Sequence, residues 1–294
     1  DWLPNTYYLK LTGGDAIVRM ARGALVFVDF LLAVVLTVGL ATVGALLTLR
    51  ERPKLALPLV LVGAYFAYSI YVGGDAWEDS HMTGNRFQCF VMPLIPLLLA
   101  GVLDALLARR SWRLPAAVVV VLALLVSADL DGLLVGPYRD FRLGYVLLQG
   151  QPYNMWAHER VTRDIHELAK QLAPGTRVAV VWAGIPAYFS DFRMIDVMGY
   201  NDREIARGQW FQPVSLENAA AYLPGHMKHN LELTLRDKQP DVLFQWWDDW
   251  HEPEIAALES RGYYPLRTGA PIQDTAGLMW LRESAHLPLR WPAE

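Results

Sequence analysis

Apolar runs of membrane length crowd the region between residues 23 and 135 and leave little room for an ordinary soluble fold. A bilayer core of about 30 Å takes ~20 apolar residues as a helix, because a helix satisfies its own backbone where water is absent. Four segments meet this description: about Gly23 to Leu49, Leu55 to Val72, Phe87 to Ala108, and Leu114 to Val135. The last is interrupted by Asp129 and Asp131 near its far end. Hydrophobic residues make up 53% of the 294 positions and charged residues 19%, too apolar for a soluble chain and too charged for a wholly embedded one. The expected architecture is therefore a membrane α-helical region of about four transmembrane helices, followed by a soluble domain.

Loop charge sets the expected orientation. Arg50-Glu51-Arg52-Pro53-Lys54 joins the first pair of segments and Arg109-Arg110-Ser111-Trp112-Arg113 joins the last pair. Both are basic and so expected in the cytoplasm. An extracytoplasmic segment at 1–22, a transmembrane region at 23–136 and an extracytoplasmic domain at 137–294 follow from this. Asp29 and Asp104 fall near segment ends, where they can hydrate or pair with Arg22 and Arg109. The chain opens on Asp1 with no basic-then-apolar leader, which reads as a truncated or processed start.

The C-terminal region changes period. Val161, Ile165, Leu168 and Leu172 repeat at helical spacing from His158 to a stop at Pro174-Gly175. Strands are expected at 177–182, 194–197, 241–245, near 263–266 and at 278–282, with a helix over 252–261. Strands alternating with helices predict an α/β domain with a mostly parallel sheet. The turn Ala183-Gly184-Ile185-Pro186 lacks the glycines of a nucleotide-binding loop. Scattered Lys and Arg with a net charge of -4 exclude a nucleic-acid binder. The single cysteine, Cys89, excludes a disulfide framework and reads as a buried small apolar residue.

Three polar clusters share the expected outer side. Asp1 to Lys10 mixes amide, hydroxyl, aromatic and ammonium groups, which suits a sugar, with Asn5 and Lys10 as candidate contacts. The loop after the second span holds Gly73, Gly74, Asp75, Trp77, Glu78, Asp79, His81, Asn85 and Arg86. Its carboxylates can serve as a base or hold a divalent cation, and Arg86 can grip a phosphate. The third cluster joins Asp196 to Asp202 with Pro224 to His229. It offers Asn201, Asp202, His226 and Lys228 as substrate contacts, while His226 and His229 lack an evident third metal ligand. The run Trp246-Trp247-Asp248-Asp249-Trp250 can stack on sugars or pack internally.

In order and spacing, Leu3 to Lys10, Tyr71 to Asp75 with Asn85-Arg86-Phe87, Ile195 to Asp202 and Gly225 to Lys228 resemble the C-terminal part of bacterial GT-C superfamily glycosyltransferases. The closest resemblance is to the arabinofuranosyltransferases of the actinobacterial cell wall and their uncharacterised relatives. The resemblance implies a multi-pass enzyme of the bacterial inner membrane that moves a sugar from a polyprenyl-phosphate donor to an extracytoplasmic glycan or lipid acceptor, in contact with membrane lipid. It also implies inversion at the anomeric carbon. Family members place their catalytic acid in the first extracytoplasmic loop, which this chain would begin after; Asp75 is then a candidate catalytic carboxylate and the base is otherwise unassigned. No cofactor is assigned with certainty, and the acidic loop could hold a divalent cation. The competing expectation is a membrane-anchored periplasmic carbohydrate-binding or sensor protein without catalysis, and a transporter fragment is the third.

Overall fold

A computed structural model of the protein describes residues 2–76, 86–108, 155–246, 251–267 and 278–286, with isolated positions at 114, 115, 117, 118 and 121. The chain divides into two compact units. One comprises Asp15–Gln151 with Val214–Pro224, and the other comprises Asp1–Gly14, Pro152–Pro213 and Gly225–Glu294.

The first unit is helical. Helix α2, Ala16–Thr48, is capped by Asp15, whose carboxylate accepts the Ile17 N–H. Helix α3 covers Ala56–Val72 and α4 covers Leu94–Leu107. Their shared core joins Val38, Ala41 and Ala45 of α2, Val62 of α3, and Ile95, Leu98 and Val102 of α4. Small residues permit close approach: a Cβ on Gly44 would lie 2.8 Å from Val102.

Among the described residues, one stretch, Pro53–Val72, is long and apolar enough to cross a membrane, and Val38–Thr48 and Leu94–Ala105 are shorter apolar helices. The four expected spans are thus not reproduced as four separate long apolar helices. Helix α2 is 33 residues long, and Arg19 and Arg22 lie in its first turns. The third expected segment is shortened because Arg86–Gln88 forms a 3-10 turn and Pro93 precedes the first residue of α4. The fourth expected segment lies almost wholly outside the described residues. Asp104 pairs with Arg52 at 2.5 Å, tying the basic loop to the far end of α4. Cys89, expected to be buried, is exposed.

The second unit is an α/β fold. Helix α1 is Asn5–Leu11 and α5 is Met155–Gln171. Strand β1 is Arg177–Val180, β2 is Arg193–Asp196, and the short helix α6 is Arg203–Ala206. Strand β3 is Val242–Leu243, α7 is Glu252–Glu259, β4 is Tyr263–Arg267 and β5 is Leu278–Arg282. The strand order is β2-β1-β3-β5-β4.

The expected mostly parallel sheet is a mixed one. Strand β1 pairs in parallel with β2 and β3, whereas β5 pairs antiparallel with both β3 and β4. The α7 crossover still delivers β4 parallel to β3, but β5 occupies the place between them. Strict alternation lets both sheet faces carry core. Val178, Val180, Val242, Met279 and Leu281 face Val161, Ile165, Leu168 and Leu172 of α5. Ala179, Leu243 and Trp280 face the other way, toward Leu258, Tyr263 and Trp246.

Leu168 is fully buried at the centre of the α5 seam. Leu168→Ala is expected to destabilise the α/β unit by about 2–5 kcal/mol, measured as a lowered denaturation midpoint by tryptophan fluorescence.

Candidate functional site

The polar residues of the α/β unit converge through the backbone of α1. Lys228 is 1% exposed, yet its ammonium donates to the Tyr8 carbonyl at 2.8 Å, Thr12 Oγ1 at 2.9 Å and the Ala206 carbonyl at 2.8 Å. All three donors of the ammonium are used, and none meets a carboxylate. Burial pushes its pKa down to about 8. The Arg207 guanidinium lies 4.5 Å from the Tyr8 ring centroid and adds a cation–π contact to the same helix. At the other end of α1, Asn5 Nδ2 donates to the Tyr200 carbonyl at 3.2 Å.

The loop after β2 is built around Asp196. Its buried carboxylate accepts from the Met198, Gly199 and Asn201 N–H groups and from Asn201 Nδ2, at 2.8 to 3.1 Å. Burial raises its pKa while these four bonds oppose the rise. Asn201 is therefore partly committed to holding the loop. Asp202 caps α6 through the Glu204 and Ile205 N–H groups and pairs with Lys238 at 2.9 Å. Around α6, Asn201, Asp202, Arg203, Glu204, Arg207 and Lys238 help line a depression of about 550 Å³.

Tyr200, Lys10 and His226 meet at Gly225. Gly225 has φ +86°, and a Cβ there would lie 2.6 Å from Tyr200 Oη and 3.7 Å from Lys10 Cε. A side chain would be strained by the backbone and would strike the phenol. His226 is buried, with its ring edge-on to Tyr200 at 6.2 Å. Asn5, Lys10, Tyr200 and His226 thus form one polar and aromatic patch from segments about 200 residues apart. Tyr200 lies within the Asp196 to Asp202 cluster but is not among its expected contacts, because a Tyr in a turn has no chemical signature of its own.

In the helical unit, Asp75 is 1% exposed and follows the left-handed pair Gly73 and Gly74 at the end of α3. Arg22 donates to the Gly73 carbonyl at 2.7 Å and Arg19 Nε donates to the Tyr71 carbonyl at 2.9 Å. These buried guanidiniums hold the carbonyl end of α3, where the helix dipole favours positive charge. Tyr222 and Pro224, from the segment after Val214, close on the same glycine: a Cβ on Gly73 would lie 2.7 Å from the Tyr222 ring. The sequence reading set Arg22 against Asp29; the i, i+3 spacing of Arg19 and Arg22 was the signal for a shared role. Glu78 lies outside the described residues, and Arg86 is described only as the start of a 3-10 turn. Among the described residues, no cluster of three or more His, Cys, Asp or Glu side chains is placed to hold a metal ion.

The class defined so far is a protein with an apolar helical unit and a mixed-sheet α/β unit that gathers amides, a phenol, an ammonium and imidazoles. A family described as a domain of unknown function (DUF8728) matches residues 153–266, which run from α5 into β4. No curated protein and no solved structure matches the chain.

Lys228→Met is expected to loosen α1 at a cost of roughly 1–3 kcal/mol, read as faster amide hydrogen exchange over Asn5–Leu11. Because the unfolded chain holds the Lys228 proton more tightly than the folded one, stability should rise with pH between about 8 and 10.5. The same variant should lack that rise.

Proposed function

We propose that the protein acts in an integral-membrane glycosyltransferase of the GT-C type, moving a sugar from a polyprenyl phosphate to an extracytoplasmic glycan or lipid acceptor. The observation that carries this reading is the meeting of three motif segments, Asn5 to Lys10, Asp196 to Asp202 and Gly225 to Lys228, in one patch. A sugar suits such a patch, since its hydroxyls bond amides and its C–H faces rest on aromatic rings.

Membrane residence is supported by what the helices leave uncovered. Leu47, Leu57, Val60 and Phe90 are at least 66% exposed, and Val43, Leu46 and Leu97 more than half. A surface of large apolar side chains on α2, α3 and α4 is costly in water and natural in lipid. In this proposal the α2–α3 and α4 loops carrying Arg50, Arg52 and Arg109 are cytoplasmic, the helices are multi-pass, and the α/β unit is outside.

Chemically, the departing lipid phosphate needs cations, for which Lys10 and Arg86 are the proposed partners. The acceptor oxygen attacks the anomeric carbon as the bond from that carbon to the lipid phosphate breaks, its proton passes to the carboxylate base that the resemblance places in the first extracytoplasmic loop, and a single displacement inverts that centre. Asp75 is withdrawn from solvent, so its proposed part is to position the mouth of the α3 loop rather than to accept the proton. Asn201, Asp202 and His226 orient the acceptor, and Lys228 positions α1.

Arg86→Ala in the full-length enzyme should lower transfer by about 10²–10³-fold with an unchanged melting temperature; unchanged transfer would remove Arg86 from the site. Topology is checked on a Cys89→Ser background with a membrane-impermeant maleimide. Tyr188→Cys should be labelled in intact cells and Lys54→Cys only after permeabilisation.

A further inference from the structure

A second cavity in the α/β unit has no part in the motif patch. It measures about 670 Å³ and is lined by Phe211, Gln212, His229, Asn230, Leu231, Trp246, His251 and Glu254. The Phe211 N–H donates to the Met227 carbonyl at 2.8 Å, which fixes that ring beside the 227–230 segment. The Phe211 and His229 rings lie 4.2 Å apart between centroids with their planes tilted by 37°, and Trp246 stands edge-on to His229 at 5.6 Å. Phe211 is 43% exposed while Trp246 is buried, so the cavity has an open aromatic edge and a closed aromatic wall.

The polar groups include both a donor and an acceptor. Asn230 spends its Oδ1 on the Leu233 N–H, which leaves its NH2 to donate. Glu254, in the first turn of α7, has its Oε2 withdrawn from water with no hydrogen-bond partner. A buried carboxylate oxygen without a donor is a standing cost that a ligand hydroxyl would relieve. The described residues of the lining include no Lys or Arg, in contrast to the depression walled by Arg203, Arg207 and Lys238. A phosphate or carboxylate ligand would find no permanently charged cation among the described lining residues. His229, His251 and Glu254 do not form a metal cluster among the described residues.

We propose that this cavity binds a neutral saccharide, one ring resting on Phe211 and its hydroxyls bonded by Glu254, Asn230 and Gln212. The inference stands on the lining and is independent of the transferase proposal, because a bound glycan need not be the one that reacts.

The test is saturation-transfer NMR on the full chain in detergent, with arabinofuranotetraose, mannotetraose and maltotetraose as probes and glucose 1-phosphate as the anionic control. At least one tetrasaccharide should bind in preference to the phosphate. Phe211→Ala and Glu254→Gln should each weaken that binding by about tenfold, the size of one lost charged hydrogen bond, while the remote Arg236→Ala should not. Binding by no tetrasaccharide, binding indifferent to both variants, or preference for the phosphate would overturn the proposal. So would saturable binding of zinc alone that His229→Ala and His251→Ala abolish. Since the readout is binding, its failure would leave the Arg86 transfer experiment unaffected.

Discussion

A buried ammonium organises the α/β unit. Lys228 reaches the carbonyl end of α1, the side chain of Thr12 and the last carbonyl of α6, joining segments from the two ends of the chain through three neutral oxygens. Taking a charge out of water is expensive, and oxygen acceptors recover only part of that cost, which is why the proton is held less firmly than on a free lysine. Lys228 therefore acts as an anchor within the fold. Around it, Asn5, Tyr200 and Gly225 fall into register, and the patch that Lys10 and His226 share depends on α1 remaining in place.

The helical unit uses buried charge in a parallel way. Arg19 and Arg22 are almost fully covered, and each satisfies a carbonyl at the end of α3. Helix carbonyls left over at a C-terminus need donors, and two guanidiniums from a neighbouring helix supply them where water is scarce. The glycine pair that follows can turn sharply only because it tolerates left-handed backbone, and the ring of Tyr222 occupies the space a side chain would need. Asp75 inherits its burial from this closure.

Much of the α/β unit was legible in the chain. The helix over 158–172, the strands near 177, 194, 241, 263 and 278, and the helix over 252–261 all rest on periodicity that survives folding, since each element buries one face or alternates between two. The place of β5 was not legible, because alternation marks a strand without naming its neighbours. The apolar helices were legible as apolar but not in their ends: Asp15 extends α2 backward by its cap, and Pro93 delays α4. Asp104 pairs with Arg52, a pairing that depends on which helix ends meet.

Local chemistry fixed the types of element, the division into apolar and polar regions and most of the polar residues gathered in the candidate site, because those properties reside in side chains and their spacing. Long-range packing settled which of those residues meet. It drew residues 214–224 into the helical unit, turned Lys228 inward, gave Asp196 to its own loop and set Phe211 beside His229 and Trp246. Such contacts join positions tens to hundreds of residues apart, and no spacing along the chain encodes them; they are chosen by the burial of surface and the pairing of polar groups once the whole chain is folded.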